Sequence, residues 1–380
     1  MEMVIGIDAS RNRSGGAKVH LIGILQESNP IEFGIREVHV WSYRSLLSSL
    51  PNYPWLVKHS PMELELSLFK QLWWQYYTLP SEARKCECDI LLNTDAGSVC
   101  NFHPAVTMSR DMLSYEKGEI DRFNFGLARL RLFILRYVQS NSLKRADGVI
   151  FLTNYAAAVI QKYTGSINNL KVIPHGVGKT FKQITRGGNW SVAADKPIRC
   201  LYVSNVAMYK HQWHVVRAIH MLRQRNHNIS ILFAGGGDGY AQKLLDEEIV
   251  RIDPGREYIK QLGFVGHDKI PELLTATDIF IFASSCENMP NTLVEAMASG
   301  LPIACSNRGP MPEVLVDGGE YFDPENSESI SLAIEKIIVN EDLRISMANR
   351  AKELSEQYSW NRCGTETWDF MKYIFNLCGK

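Results

Sequence analysis

An excess charge of either sign is missing from this chain: 41 Lys and Arg stand against 41 Asp and Glu, for a formal net charge of zero. A nucleic acid as main partner would call for a basic face or stripe, and none is written here. Long apolar runs are missing too. None approaches the ~20 residues that a membrane span needs. "MEMVIGIDAS" offers neither a basic leader nor a long apolar core, so it does not read as a secretory signal. Paired cysteine spacing is absent. Cys86 and Cys88 form a lone C-x-C with no second pair at zinc-like spacing, and the other six are scattered. They read as reduced thiols in a cytoplasmic protein. The Gly-x-Gly-x-x-Gly pattern also fails. "AGGGDG" (Ala234 to Gly239) has Tyr240 where the last glycine belongs, so it reads as a tight turn.

What is present is a regular alternation. The length of 380 residues predicts two domains. "MVIGIDA", "CDILLNTDAG", "PAVTMSRDM", "RADGVIFLTN" and "LKVIPHGVG" read as buried strands, with helical patterns such as "YAAAVIQKYTG" between them. A polar stretch without period, Lys179 to Pro197, reads as the linker. The alternation then resumes through "IRCLYVSN", "NISILFAGGG", "IFIFASS" and "PIACSN", and ends in a long helical tail from "ESISLAIEKII" to "AKELSEQY". Strands alternating with helices imply parallel sheets with crossover helices. The expected organisation is two doubly wound α/β domains, 1–178 and 179–363, with a terminal helix over 364–380 packing back on the first.

Two glutamates stand eight apart in "ENMPNTLVEAMASGLPIA": Glu287 just past a strand, Glu295 inside the following helix. Ligands of open α/β sheets sit beyond the carboxyl ends of strands. Pro290 fits the first turn of that helix, and Gly300 and Pro302 stop it. Asn288, Asn291 and Thr292 are expected to help cap it. Free N–H groups from Met289 to Leu293 would then form an anion site backed by the helix dipole. Glu295, roughly 7 Å along the axis, leans back toward that site. A carboxylate placed there suits the hydroxyls of a vicinal diol better than a phosphate. Diphosphate at the helix tip with polyols on either side describes a nucleotide-sugar.

The E-x7-E spacing resembles the motif of the family 4 retaining glycosyltransferases, which have the GT-B fold. "RADGVIFLTNYAAAVIQKY" with "VIPHGV", "FVGHDKIPELLTATDIFIFASSCE" and "RGPMPEVLVDGGEYFDPEN" are similar to further stretches of that family. The resemblance implies two Rossmann-like domains facing across a cleft, with the nucleotide-sugar on the second and the acceptor on the first. It implies that Glu287 holds donor-sugar hydroxyls, Glu295 the ribose, and backbone near Val265 the base. It also places Ser14-Gly15-Gly16 as the Gly-rich loop facing the donor diphosphate. In "SNVAMYKHQW" the family usually carries Arg and Lys five apart to grip the diphosphate. Lys210 matches the lysine, but Asn205 stands where the arginine would be, so either the pyrophosphate is held with less charge or another group such as Lys18 or Arg110 compensates. In "TMSRDML" the family often carries His-Asp near the transferred sugar; here Arg110-Asp111 stands there, and Arg110 either meets phosphate or pairs with Asp111.

Asp-x-Asp, a divalent-cation motif of metal-dependent transferases, does not occur. No metal and no other cofactor are expected, with Lys210 and backbone N–H groups doing the cation's work. Residues 1–176 hold 19 Lys and Arg against 16 Asp and Glu, a net of +3. "FGLARLRLFILRYVQSNSLKRAD" and the aromatic "LFKQLWWQYY" suit contact with a membrane surface and a lipid-linked acceptor, although packing into the core is the favoured reading. The function so read is transfer of a hexose, UDP-glucose first and GDP-mannose as alternative, to an acceptor hydroxyl in bacterial-type polysaccharide or lipid-linked glycan synthesis. A nucleotide-sugar epimerase and a non-catalytic nucleotide-binding partner are the rival readings.

Overall fold

The computed structural model describes residues 2–13, 15–123, 126–184 and 196–379. Ser14 and residues 185–195 of the expected linker lie outside the described residues. The chain divides into two compact units, 1–176 with 358–380, and 177–357.

The first unit holds seven strands: β1 (Met3–Asp8), β2 (Ile35–Trp41), β3 (Leu56–His59), β4 (Ile90–Asn93), β5 (Ala105–Met108), β6 (Gly148–Phe151) and β7 (Leu170–Val172). They are ordered β3-β2-β1-β4-β5-β6-β7, all parallel. The second unit holds β8 (Ile198–Val203), β9 (Ile229–Ala234), β10 (Ile259–Gln261), β11 (Ile279–Phe282), β12 (Ile303–Ser306) and β13 (Glu320–Phe322). Their order is β10-β9-β8-β11-β12-β13, again parallel throughout. Parallel neighbours need crossover connections, which cover both faces of the sheet. The central strands are accordingly buried at every position: β1, β4, β5, β6, β11 and β12. Each sheet reverses its order once, between β1 and β4 and between β8 and β11. At those two points the loops leaving adjacent strands diverge and open a crevice.

Three expectations change. The long helical tail is two helices, Ser327–Val339 and Glu341–Ser355, broken at Asn340. Asn340 takes an extended backbone and its side chain accepts from the N–H of Leu343 at 3.0 Å, starting the second helix. Gly15 and Gly16 are not in the expected loop but open the helix Gly15–Glu27. The terminal helix begins earlier than expected and runs from Trp360 to Cys378, in the first unit, against Gly15–Glu27. Gly23 makes that packing possible: a Cβ there would lie 2.3 Å from the Trp360 ring. Trp368 adds a hydrogen bond from its indole nitrogen to Ser28 Oγ at 2.8 Å.

The aromatic and basic segments do not pack into the core as favoured. The chain is helical from Leu68 to Lys85, with a π-helical turn at Trp74–Thr78. Trp74 and Gln75 anchor it inside, while Leu68, Phe69, Trp73, Tyr76 and Tyr77 are exposed. On the helix Leu127–Arg145, Leu127, Leu130, Phe133, Ile134 and Tyr137 are exposed as well. No helix among the described residues is long and apolar enough to cross a membrane.

Candidate active site

The register Ile279↔Cys200 and Phe280↔Leu201 sets the ends of β8 and β11 side by side. Two loops leave there. The one after β8 carries Asn205 and Lys210; the one after β11 carries Glu287. They are stitched together: the N–H of Ser285 donates to the Tyr209 carbonyl at 2.8 Å, and Ser285 Oγ meets His211 Nε2 at 2.9 Å. His211 sits in the left-handed region (φ 53°), which turns the chain from the short helical turn Met208–Lys210 into the helix Gln212–Gln224. Tyr202 donates to the Lys210 carbonyl at 2.8 Å. Burial, with the Glu287 charge adding, pushes the Tyr202 phenol well above its ordinary value, so it stays a donor.

The result is a mostly buried ion pair between Lys210 Nζ and Glu287 Oε1. The ammonium also lies over the rings of Tyr209 and Phe282, at 5.3 and 5.4 Å. A lysine has three donors. One is committed to Glu287, which leaves two for an anionic oxygen. Asn205 is exposed, and its carbonyl accepts from Ser204 Oγ and Gln212 Nε2 at 2.8 and 2.9 Å. Gly235 allows the next loop to close on this one: its φ of +133° and a Cβ only 1.9 Å from the Ser204 carbonyl oxygen exclude any side chain.

The helix after Glu287 runs Asn291–Ala298, and Pro290 is its cap residue, not part of its first turn. A proline cap has no side-chain acceptor, so the capping expected there is not supplied by the cap residue. The expected row of free N–H groups is also partly committed. Asn291 donates to the Met289 carbonyl and Leu293 to the Pro290 carbonyl, both at 3.0 Å. The N–H groups of Glu287, Met289 and Thr292 make no hydrogen bond among the described residues. Asn288, Met289 and Leu293 are buried, Asn291 and Thr292 half-buried. The Leu293 side chain is wholly in the core.

Glu295 is not on an exposed face; it is 6% exposed. Its Oε1 is held by His267 Nε2 at 2.7 Å. Its Oε2 is buried with no hydrogen-bond partner among the described residues. A buried carboxylate oxygen without a donor is costly, so Glu295 is set to receive one. His267 lies two residues after the half-buried Val265, which brings that loop to the same helix. The hydrogen bond to Glu295 raises the His267 value above the ordinary 6.5. The E-x7-E spacing carried no sign of His267.

The remaining expected residues lie in the first unit, at the corresponding reversal of its sheet. Gly15 is exposed and Gly16 half-buried at the helix start. Arg110 does not pair with Asp111. Its Nη2 donates to Asn12 Oδ1 at 2.6 Å, and Asp95 lies 3.9 Å away. Asp111 instead accepts from the Leu113 N–H and from Gln139 Nε2. Asn12 in turn accepts from Thr94 Oγ1 at 2.8 Å and donates to the Ala17 carbonyl at 3.3 Å, tying Arg110 to the helix that Gly15 opens. Arg110 Nη1 is buried without a partner among the described residues. Burial pulls the guanidinium below its ordinary value. Asn12 and Thr94 were not singled out from the sequence, because nothing local marks a side chain that acts across 82 residues. Lys18 lies over the Tyr43 ring at 5.8 Å.

Two parallel α/β units, each with polar loops at the point where strand order reverses, define the GT-B architecture. The solved structures agree. Sucrose-phosphate synthase from Thermosynechococcus elongatus superposes with a TM-score of 0.78 at 15% identity, over 99% of this chain and 100% of that one. Anabaena HepE, solved in complex with UDP-glucose, gives 0.73 at 18% identity over 99% of each. The model of the family described as "Glycosyl transferases group 1" matches residues 190–354, within the second unit. Among curated relatives, O-antigen chain mannosyltransferase B of Escherichia coli is 27% identical over 174 residues, 46% of this chain and 45% of its own length. Alpha-D-kanosaminyltransferase of Streptomyces kanamyceticus is 25% identical over 175 residues, 45% and 44%. The chain thus spans just under half the length of these curated relatives.

Proposed function

We propose that the protein is a retaining glycosyltransferase that moves a hexose from a nucleotide-diphosphate sugar, UDP-glucose first, to an acceptor hydroxyl on a polysaccharide or lipid-linked glycan. The observation that carries this reading is the buried Lys210–Glu287 pair beside the unbonded N–H groups of Met289 and Thr292, with Glu295 Oε2 one turn further on. Lys210 and those N–H groups take the diphosphate and stabilise the charge that develops as it leaves. Glu287 positions the sugar hydroxyls. Glu295 accepts from the ribose, and backbone at Val265 faces the base. Asn205 contributes its backbone in place of the usual arginine.

Retention follows from departure and attack on one face, with the leaving phosphate oxygen taking the acceptor proton. No metal is required, since the lysine and the helix start supply the positive charge. In the first unit, Gly15, Gly16 and the unpartnered Nη1 of Arg110 form an oxyanion-binding corner for the donor or acceptor phosphate. The exposed apolar helices of that unit fit a cytoplasmic enzyme that sits against a bilayer to reach a lipid-linked acceptor. A GDP-mannose donor is the second reading, favoured by the match to a mannosyltransferase.

Nucleotide release by purified protein from UDP-glucose, UDP-galactose, UDP-N-acetylglucosamine and GDP-mannose tests both readings, with Glu287→Ala as control. Slow hydrolysis of one donor, lost in the variant, is expected. Tight binding of free nucleotide with no turnover of any donor, acceptors included, would favour a non-catalytic binding protein. Appearance of an epimeric sugar from the donor, with no acceptor needed, would favour an epimerase.

A further inference from the structure

The proposed reaction does not use a second polar cluster in the first unit. His39 lies on β2 and His59 ends β3, the edge strand beside it. His39 Nδ1 and His59 Nε2 are 2.9 Å apart. Cys86, at the end of the helix Leu79–Lys85, brings its sulfur to the same point, and one ligand atom from each of the three lies within 4.8 Å of the others. Among the described residues this is the group of His, Cys and carboxylate side chains close enough to share an ion.

The surroundings favour a cation. Glu37 Oε2 stands 3.3 Å from His39 Nε2. A carboxylate there keeps the proton on Nε2 and leaves Nδ1 with its lone pair toward His59, the arrangement that orients imidazole ligands in metal sites. Trp41 stacks on His59 at 4.6 Å and fixes the plane of that ring. Burial and the neighbouring His39 lower the His59 value, which favours the neutral ring that a metal binds. The Cys86 thiol is raised by burial and by Glu82 and Glu37, which hold it protonated until a positive charge arrives. Tetrahedral zinc with bonds of about 2.0–2.1 Å to nitrogen puts two ligand nitrogens about 3.3 Å apart. The observed nitrogens need to part by a few tenths of an ångström and each imidazole to turn its lone pair off the line between them, while the Cys86 sulfur, within 4.8 Å, closes on both.

We propose that His39 Nδ1, His59 Nε2 and Cys86 Sγ form a binding site for a single soft divalent cation, Zn2+ in the first instance, with a fourth position open to solvent. Binding forms two Zn–N bonds and one Zn–S bond. It releases one proton, from the thiol, and the proton between the imidazoles moves to the far nitrogen of His59. The site clamps the edge strand to its neighbour and to the helix behind. It lies outside the residues given to the sugar-transfer reaction and stands or falls independently of that reading.

The test uses the tag-free full chain, stripped with a chelator. Zn2+ is titrated against a chromophoric competitor, and Co2+ is followed by absorption. One equivalent of each metal is expected, with a thiolate-to-cobalt charge-transfer band that Cys86→Ser abolishes and Cys88→Ser leaves unchanged. His59→Gln shifts the cobalt ligand-field bands. Glu37→Gln, which removes only the orienting carboxylate, weakens Zn2+ binding about 10-fold or more. Affinity should fall as pH drops, because the thiol proton competes. The proposal is overturned by less than one equivalent bound, or by a cobalt spectrum that is the same in wild type and Cys86→Ser.

Discussion

At the scale of single residues, the Lys210–Glu287 pair decides the most. Removing one partner of a buried pair leaves an uncompensated charge. Lys210→Met should lower kcat for donor hydrolysis by about 10²–10³-fold if the ammonium meets the leaving phosphate. The double variant Lys210→Met, Glu287→Gln should fall short of the product of the two single losses, as expected for groups in contact. Steady-state nucleotide release on all four proteins measures both. Glu295→Gln should instead raise the donor KM by about 10–100-fold, the range set by one charged hydrogen bond, with kcat nearly unchanged. His267 has a pH signature. Its folded value is raised by the bond to Glu295, so it holds its proton more tightly folded than unfolded. The stabilisation is fully present below its ordinary 6.5 and is lost as pH rises through the raised value. The wild type should melt about 1–3 °C above His267→Gln at pH 6, with the gap closing in alkaline buffer. A gap that stays constant with pH would remove the charge from the account.

At the scale of elements, the helices Leu68–Lys85 and Leu127–Arg145 carry the next prediction. The second has five Arg and Lys and no acidic residue, alongside an exposed row of Leu, Phe, Ile and Tyr. That pairing is the signature of a surface that lies on an anionic bilayer. Phe69→Ser with Trp73→Ser should cut cosedimentation with anionic vesicles several-fold while nucleotide release from soluble donor is unchanged. High salt should weaken binding in wild type through screening. Elements also show how much the sequence could say. Central strands were legible because burial on both faces leaves unbroken apolar runs. β2 and β3 were not, since Arg36, Glu37 and His39 interrupt one and the other is an edge of four residues. The break at Asn340 was hidden because one capping side chain can divide a continuous apolar period. In the candidate site, the residues within one loop and one helix were legible from local spacing. His267, Asn12 and Thr94 were not, because each acts through a contact between distant parts of the chain. The exposed aromatics were misjudged for a related reason: periodicity marks an apolar stripe but not whether anything covers it.

At the scale of the whole molecule, the second unit is one continuous segment and the first is not. A chain ending at residue 357 should keep the second unit's melting transition and its affinity for free nucleotide, but lose the transition of the first. Calorimetry with nucleotide titration checks this. Gly23→Leu should damage the first unit alone, since any side chain there collides with Trp360. The same discontinuity bears on how the protein is made. Translation delivers residues 1–176 before the second unit, and the helix that covers Gly15–Glu27 only after it. At about 5–20 residues per second, residues 1–176 wait many seconds on the ribosome with an apolar helix face uncovered. The first unit is therefore where nascent-chain chaperones would be expected to act.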